Sequence, residues 1–194
     1  MTNDSLTQLP IDAFLTRLAS KEPTPGGGSV AALTGALASA LGQMVAAFTI
    51  GKPKFATVEP EVRAIAERLT VADQVLRKLI DEDTAAYSVL SEAFRLEKTD
   101  PKRAERIAQA AGLAGGVPLE TVAFCAKLLV DLKRLRDIGN PLLRADADAA
   151  LHLAHAALHA AAANVRANLP LMNAQESEEI RNQLDVLLES ETPA

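Results

Sequence analysis

Apolar residues recur every three or four positions along most of the chain, which is the spacing of one face of an α-helix. No segment shows the strict alternation that is typical of a half-buried strand. The pattern therefore predicts an all-α fold, a helical bundle that forms a single domain over 1–194, with 1–9 and 190–194 disordered. The predicted helices cover about 11–18, 29–50, 59–94, 101–115, 118–138, 145–169 and 174–188.

The second predicted helix is the least polar part of the chain. Between Val30 and Ile50 there is no ionisable residue, and alanine, glycine and serine are frequent. A helix that is apolar all round must be buried on every side, so we expect it to form the centre of the bundle. Its length also suits a transmembrane span, but Ser39 and Gln43 lower its hydropathy, which favours a helix inside a soluble protein.

A glycine-rich loop precedes this helix, where Pro25 is followed by Gly26, Gly27, Gly28 and Ser29. Glycine can adopt a positive φ and leaves the backbone N–H groups accessible, and serine is a preferred N-cap residue. Because a helix N-terminus carries partial positive charge, the loop suits an anion or a close-fitting polar ligand. A plain capped turn is the alternative interpretation.

The third predicted helix has one residue that interrupts its apolar seam. The seam is otherwise formed by Val62, Ile65, Leu69, Ala72, Leu76, Leu79, Ala86 and Leu90. The exception is Asp83, whereas Asp81 and Glu82 lie off the seam, where water can solvate them. A carboxylate on an apolar face must be paired, hydrogen-bonded or neutralised, so Asp83 is the candidate catalytic residue. The alternative is a structural aspartate that bonds to the end of a neighbouring helix.

Composition and charge narrow the classes of function. The chain has 194 residues, of which 48% are hydrophobic, and a formal net charge of −5. With this charge and no basic run, binding to nucleic acid is not expected. The single cysteine, Cys125, excludes an intrachain disulfide and is interpreted as a core thiol. The first residues lack the basic and apolar regions of a signal peptide, so we expect a cytoplasmic protein with no membrane partner.

Two clusters of polar residues have weaker interpretations. His152, His155 and His159 continue a row from Asp148, but the row contains no recognised set of metal ligands, so we expect no metal site. The turn at 52–54 carries two lysines, which are either solvated or close to an anionic ligand.

Four stretches of the chain resemble the cyclodeaminase/cyclohydrolase family. They are PGGGSVAA, GKPKF, IDEDTAAY and the segment that begins with GNP and ends with NVRANL, at 25–32, 51–55, 80–87 and 139–169. The family comprises the methenyltetrahydrofolate cyclohydrolases and the cyclodeaminase part of formiminotransferase-cyclodeaminase. The resemblance extends from about Phe14 to Leu188, with departures from the usual family residues at Leu142, Ala145 and Asp148.

The resemblance implies an all-helical homodimer that binds folate near the subunit interface, and it places the catalytic aspartate of the family at Asp83. The implied chemistry occurs at the carbon that bridges N5 and N10 of tetrahydrofolate. Hydrolysis of 5,10-methenyltetrahydrofolate to 10-formyltetrahydrofolate is the preferred reaction, and formiminotetrahydrofolate cyclodeamination with release of ammonia is the alternative. A non-catalytic dimer that binds folate or a protein partner is a third possibility.

The resemblance also suggests which residues contact the ligand. The expected contacts are Gly26, Gly27, Gly28, Ser29, Lys52, Lys54, Asn140 and Asp146. The loop residues would position the ligand through backbone N–H groups, the lysines would bind the glutamate carboxylates of folate, and the last two residues would contact the pterin. No cofactor beyond the tetrahydrofolate substrate is expected.

Overall fold

The computed structural model describes residues 5–189, and this part of the chain contains helices and turns but no β-strand. The six α-helices are α1 (Ile11–Leu18), α2 (Gly27–Ala47), α3 (Glu59–Arg95), α4 (Arg103–Ile138), α5 (Arg144–Asn168) and α6 (Ala174–Glu189). The predicted all-α bundle is therefore confirmed. Residues 1–4 and 190–194, which were expected to be disordered, lie outside the described residues.

Helices α2 to α5 form a four-helix bundle in which consecutive helices run in opposite directions. At one end of the bundle, the Gly51 N–H after α2 donates to the Glu59 carboxylate at the start of α3 (2.9 Å). The end of α4 joins them there, because Arg134 pairs with Glu61 of α3 (2.6 Å). Each helix packs on its neighbours in chain order, α5 returns against α2, and α2 also contacts α4 across the centre.

Two glycines of α2 allow this close packing. A Cβ on Gly35 would lie 3.0 Å from the Cys125 sulfur of α4, and one on Gly42 would lie 2.5 Å from a methyl group of Leu132. Close approach of helix backbones therefore requires both positions to lack a side chain. Cys125 is a buried core thiol as predicted, and burial raises its pKa to about 12, so it stays protonated.

Helix α4 runs through the Gly115–Gly116 pair and Pro118, where the sequence predicted a break between two helices. Proline lacks the N–H that would donate to the carbonyl four residues earlier, which here belongs to Ala114. That carbonyl instead accepts a hydrogen bond from the Asn168 amide at the end of α5 (3.2 Å). A donor from a distant part of the chain thus replaces the missing helical bond, and the helix continues.

Helix α2 is not buried on every side, contrary to the prediction. It contacts α3, α4 and α5, but its outward face leaves Leu37 and Phe48 52% and 53% exposed. The exposed or half-buried residues of this face recur at helical spacing: Leu33, Leu37, Ala40, Met44 and Phe48. The apolar surface of α2, which carries no ionisable residue, is therefore larger than what a single subunit buries.

The described part of the segment before α1 packs against α3, although residues up to 9 were expected to be disordered. Leu6 is buried, its N–H donates to Asp81 Oδ1 (2.7 Å), and the Ser5 hydroxyl donates to Asp81 Oδ2 (2.5 Å). The off-seam position of Asp81 suggested that water solvates it, but its carboxylate accepts two hydrogen bonds from the protein. Its carboxylate holds the N-terminal segment against α3.

Helices α2 and α4 are long and apolar enough to span a membrane by length and composition alone. Only about half of the most apolar window in each helix is buried, 50% in α2 and 44% in α4. In the bundle both helices pack against neighbours on several sides, which is the arrangement of core helices.

Candidate active site

Asp83 of α3 lies at the N-terminus of α2. Its Oδ2 accepts a hydrogen bond from the backbone N–H of Ser29 (2.8 Å), and the Ser29 hydroxyl lies 2.9 Å from the same oxygen. That hydroxyl is also 3.0 Å from the carbonyl oxygen of Ile80, so its one proton serves one of these two acceptors. The residue that interrupts the α3 seam is therefore the cap of a neighbouring helix.

This arrangement changes the predicted role of Ser29. The helix begins at Gly27 with Gly26 as its N-cap residue, so Ser29 lies inside the first turn and makes no cap bond of its own. Its side chain is completely buried and does not face the pocket. Ser29 therefore positions the Asp83 carboxylate instead of contacting a ligand directly.

None of the loop glycines has a positive φ, so the loop does not need glycine for its backbone conformation; Gly27 and Gly28 instead allow close approach. A Cβ on Gly28 would overlap the Asp83 carboxylate, at 1.9 Å from Oδ1. A Cβ on Gly27 would lie 3.0 Å from the Asn164 side-chain nitrogen, whereas Gly26 has room for one. Gly28 is thus the most restrictive position of the loop.

The carboxylate of Asp83 is half-buried, and its environment changes its proton affinity. Burial raises the pKa of Asp83 above the ordinary value of 3.8, and the two hydrogen bonds from Ser29 oppose this shift only partly. The N-terminal charge of α2, which was expected to attract an anionic ligand, already faces this carboxylate. A second anion would be repelled, so the loop suits a neutral acceptor or a cationic ligand.

A pocket of about 230 Å³ opens beside this carboxylate. Its lining combines Asp83, the backbone of the glycine loop, Tyr87 and two asparagines of α5, Asn164 and Asn168. Within the described residues, the backbone N–H groups of Gly27 and Gly28 have no hydrogen-bond acceptor. The pocket thus offers one carboxylate of raised pKa and two unused backbone donors within a small polar space.

The two asparagines of the pocket were quoted in the sequence motif but not assigned a role. Asn164 donates through Nδ2 to the carbonyl of Ala160 (2.8 Å), which leaves its Oδ1 as an acceptor beside Gly27. Asn168 donates to the carbonyls of Asn164 (2.9 Å) and Ala114. Their spacing of four residues could have identified them from the sequence, because it places both side chains on the same face of the helix, and this face contacts the loop.

The other predicted ligand contacts lie at the opposite end of α2. The helix has 21 residues, so its two ends are about 30 Å apart. Lys52 and Lys54 follow its C-terminus, and Asp146 lies in the first turn of α5, which runs antiparallel to α2. Within one chain, none of these residues can reach a ligand that also contacts Asp83.

Asn140 also lies at this far end, where it has a structural role. It is buried, its N–H donates to the Thr49 hydroxyl (2.9 Å), and its side-chain amide donates to the Phe48 carbonyl (3.2 Å). Its Oδ1 accepts from the N–H of Leu142 (3.2 Å). The side chain of Asn140 thus joins the turn after α4 to the end of α2, and its predicted contact with a pterin stays a prediction.

No group of three or more His, Cys, Asp or Glu side chains in residues 5–189 is placed to hold a metal ion. Asp148, which begins the histidine row, instead pairs with Arg136 of α4 (2.5 Å). The absence of a metal from the reaction stays a prediction.

The bundle and its site define a class of all-helical proteins in which the aspartate of one helix closes the glycine-rich N-terminus of another beside a polar pocket. The chain belongs to the formiminotransferase-cyclodeaminase family, whose model matches residues 10–185. The family predicted from the four sequence stretches is thus confirmed.

Characterised relatives include enzymes of both predicted types. The chain is 36% identical to a methenyltetrahydrofolate cyclohydrolase of Methylorubrum extorquens over 162 residues, which cover 81% of this chain and 78% of that protein. It is 33% identical to the formimidoyltransferase-cyclodeaminase of Gallus gallus over 84% of this chain, but the match covers only 31% of that longer protein.

A solved structure shares the fold. The crystal structure of a formiminotetrahydrofolate cyclodeaminase from Thermotoga maritima superposes with a TM-score of 0.81 and 29% sequence identity, covering 95% of this chain and 94% of that chain. The described helices therefore form the same bundle as an enzyme of the family.

Proposed function

We propose that the protein is a tetrahydrofolate one-carbon enzyme that hydrolyses 5,10-methenyltetrahydrofolate to 10-formyltetrahydrofolate. The observation that carries this proposal is the Asp83 carboxylate of raised pKa, which faces a pocket with unused backbone donors. The similarity to the Methylorubrum cyclohydrolase supports the choice of substrate. Cyclodeamination of formiminotetrahydrofolate is the second candidate, since the structural relative from Thermotoga carries that name.

Asp83 serves this reaction as a proton shuttle. The methenyl bridge is a cationic amidine, which the carboxylate attracts. Asp83 accepts a proton from the attacking water as the new C–O bond forms, and it returns a proton to N5 as the C–N5 bond breaks. The hydroxyl proton then leaves to solvent as the formyl C=O forms. A raised pKa suits both transfers, because it lies closer to the working pH.

The neighbouring groups orient the reactants. The Asn164 Oδ1, which is free to accept, holds the second proton of the attacking water in line with the bridge carbon. The N–H groups of Gly27 and Gly28 donate to a neutral carbonyl of the pterin. These roles require no metal or redox cofactor, and folate is the only small molecule that we propose as a partner.

A homodimer would bring the two predicted groups of ligand contacts together. The outward apolar face of α2 is continuous over its length, and a two-fold axis across it pairs two antiparallel copies of the helix. This pairing places Lys52, Lys54 and Asp146 of one subunit near Asp83 of the other. We therefore propose a dimer through α2, in the cytoplasm, where the buried thiol of Cys125 stays reduced.

The dimer is tested by placing a charge on its proposed interface. Leu37→Glu is expected to give monomers in light scattering, whereas Val186→Glu, at an exposed apolar position on α6, leaves the mass of the dimer unchanged. A wild-type protein that is monomeric at micromolar concentration would contradict the proposal.

Turnover is tested by adding each substrate to the purified protein. The loss of methenyl absorbance is followed for the first substrate and the release of ammonia for the second, with Asp83→Asn as the control for spontaneous reaction. We expect catalysed loss of methenyl absorbance. Catalysed ammonia release without hydrolysis would select the second candidate, and folate binding without either reaction would indicate a non-catalytic binding protein.

A further inference from the structure

A second and larger cavity adjoins the pocket of Asp83. This groove has a volume of about 730 Å³ and lies between the N-terminal segment, which Asp81 holds in place, and the second half of α3. Pro23, Thr24 and Tyr87 line both cavities, so the two spaces adjoin each other. A ligand whose reactive end lies at Asp83 can therefore extend past these residues along α3.

The α3 side of the groove presents a row of three different side chains. Tyr87, Ser91 and Arg95 follow Asp83 at intervals of four residues, which correspond to about 6, 12 and 18 Å along the helix. Side chains on a helix lean toward its N-terminus, so the guanidinium of Arg95 lies closer to Asp83 than its backbone does. The row thus offers an aromatic face, a hydroxyl and a cation in order of distance from the site.

Arg95 is available for a ligand. The groove contains two arginines, and Arg17 is already paired with Glu22 (3.0 Å). Among the described residues, Arg95 has no ion-pair partner, although the carboxylate of Glu92 lies in the same groove one turn away. A guanidinium that forms no ion pair with the described residues suits a carboxylate of a ligand, to which it can donate two parallel bonds.

We propose that this groove binds the aminobenzoyl-glutamate part of the folate, with Tyr87 against the benzoyl ring, Ser91 at the amide and Arg95 on a glutamate carboxylate. This inference rests on the proposed function and specifies where its substrate lies. Aminobenzoyl-glutamate reaches roughly 10 Å from the bridge carbon when extended, given bonds of about 1.3–1.5 Å. An arginine side chain spans roughly 7 Å, so a guanidinium that starts about 18 Å along α3 can come within about 11 Å of Asp83, which is close to this length. Lys52 and Lys54 of the same chain lie at the far end of α2. The lysines that the proposed dimer would bring from the partner subunit are the alternative, and the test distinguishes them from Arg95.

The test combines a variant with a shortened substrate. Arg95→Ala is expected to raise KM for 5,10-methenyltetrahydrofolate about tenfold to a hundredfold, the range of a charge-assisted hydrogen bond, with kcat unchanged. The KM for 5,10-methenyltetrahydropteroate, which lacks the glutamate, should be the same in the variant and the wild type. An equal change in KM for both substrates, or a glutamate-dependent change in Lys52→Ala and Lys54→Ala instead, would overturn the proposal.

Two matched variants and a binding measurement complete the design. Glu92→Gln removes the nearby negative charge and should lower KM for the glutamylated substrate, while Lys98→Ala, outside the groove, should leave it unchanged. Calorimetry with 4-aminobenzoyl-glutamate should detect binding that Arg95→Ala abolishes. Because this ligand has no reactive carbon, its failure to bind would remove the groove assignment, whereas absence of turnover with normal binding would remove only the proposed reaction.

Discussion

The two ends of α2 show how the same helix can terminate in opposite ways. At its C-terminal end, Thr49 and Asn140 bond to each other and to the local backbone. At its N-terminal end, two backbone N–H groups have no acceptor among the described residues, and the third, that of Ser29, donates to the Asp83 carboxylate on another helix. The C-terminal end, called here the closed end, stabilises the bundle. The N-terminal end, called here the open end, is where we propose that a ligand binds and a proton moves.

The largest expected effect is the loss of turnover in Asp83→Asn. Removal of the proton shuttle should lower kcat on the order of 10²–10⁴, because a general acid–base contributes about that factor. The amide can still accept from Ser29 and carries no charge that burial disfavours, so the free energy of unfolding should stay the same or rise. Kinetics and chemical denaturation measure the two effects on one variant. Glu82→Gln, one residue away and exposed, is the control, and a destabilised but fully active Asp83→Asn protein would show that the aspartate is only a cap.

Gly28→Ala should damage the open end without removing any functional group. Its Cβ would overlap the carboxylate of Asp83, which must then move by about an ångström. A displacement of that size lowers the rate about 10²-fold. Gly116→Ala is the matched control, because a Cβ there meets no atom within 4 Å, and alanine in a helix should stabilise it by up to about 1 kcal/mol. Normal turnover in Gly28→Ala would show that the geometry of the cap is not required.

Thr49→Val should affect the closed end alone. The substitution keeps the shape of the side chain but leaves the buried N–H of Asn140 without its acceptor. The free energy of unfolding should fall by about 1–3 kcal/mol, with kcat/KM of the folded protein unchanged. Denaturant titration and kinetics on the same preparation measure the two quantities. A loss of activity would indicate that this end also belongs to the active site.

The smallest expected effect is the pH dependence of stability at the open end. Because the pKa of Asp83 is raised in the folded protein, the folded state binds the proton more tightly than the unfolded chain does. As pH rises from 3.8 through the raised pKa, the wild type should therefore lose stability relative to Asp83→Asn, whose amide does not titrate. Unfolding of both proteins across this range measures the difference, and the opposite slope would mean that the bonds from Ser29 outweigh burial.

The sequence was sufficient to predict the bundle, and it singled out the aspartate beside which the candidate pocket lies. The fold follows from helical periodicity, and Asp83 stands out because it is the one charge on an apolar seam whose other members are buried or half-buried. The position of Lys52, Lys54 and Asp146 relative to Asp83 could not be predicted in this way. Their position depends on which end of α2 each segment contacts. The family resemblance assigns all these residues to one ligand, but it does not show that they lie at opposite ends of the helix within one chain.

Two local features could not be predicted from the sequence pattern, because each depends on a contact with a residue far away in the chain. Pro118 predicts a helix break from its missing N–H, and only the arrival of Asn168 from α5 explains why α4 continues. The N-terminal segment reads as polar and frayed, yet Asp81, 75 residues after Leu6, fixes it. In both cases the partner could not be identified from neighbouring residues.

Because Asp83 is both the cap of α2 and the proposed proton shuttle, the first turn of that helix is coupled to the catalytic cycle. The bonds from Ser29 are charge-assisted when the carboxylate is ionised and become weaker when it is protonated. Each proton uptake therefore lowers the local stability of the turn, and each release restores it. Amide hydrogen exchange at Ser29 should consequently report the protonation state of the site, while the amides at the other end of the helix keep a constant protection.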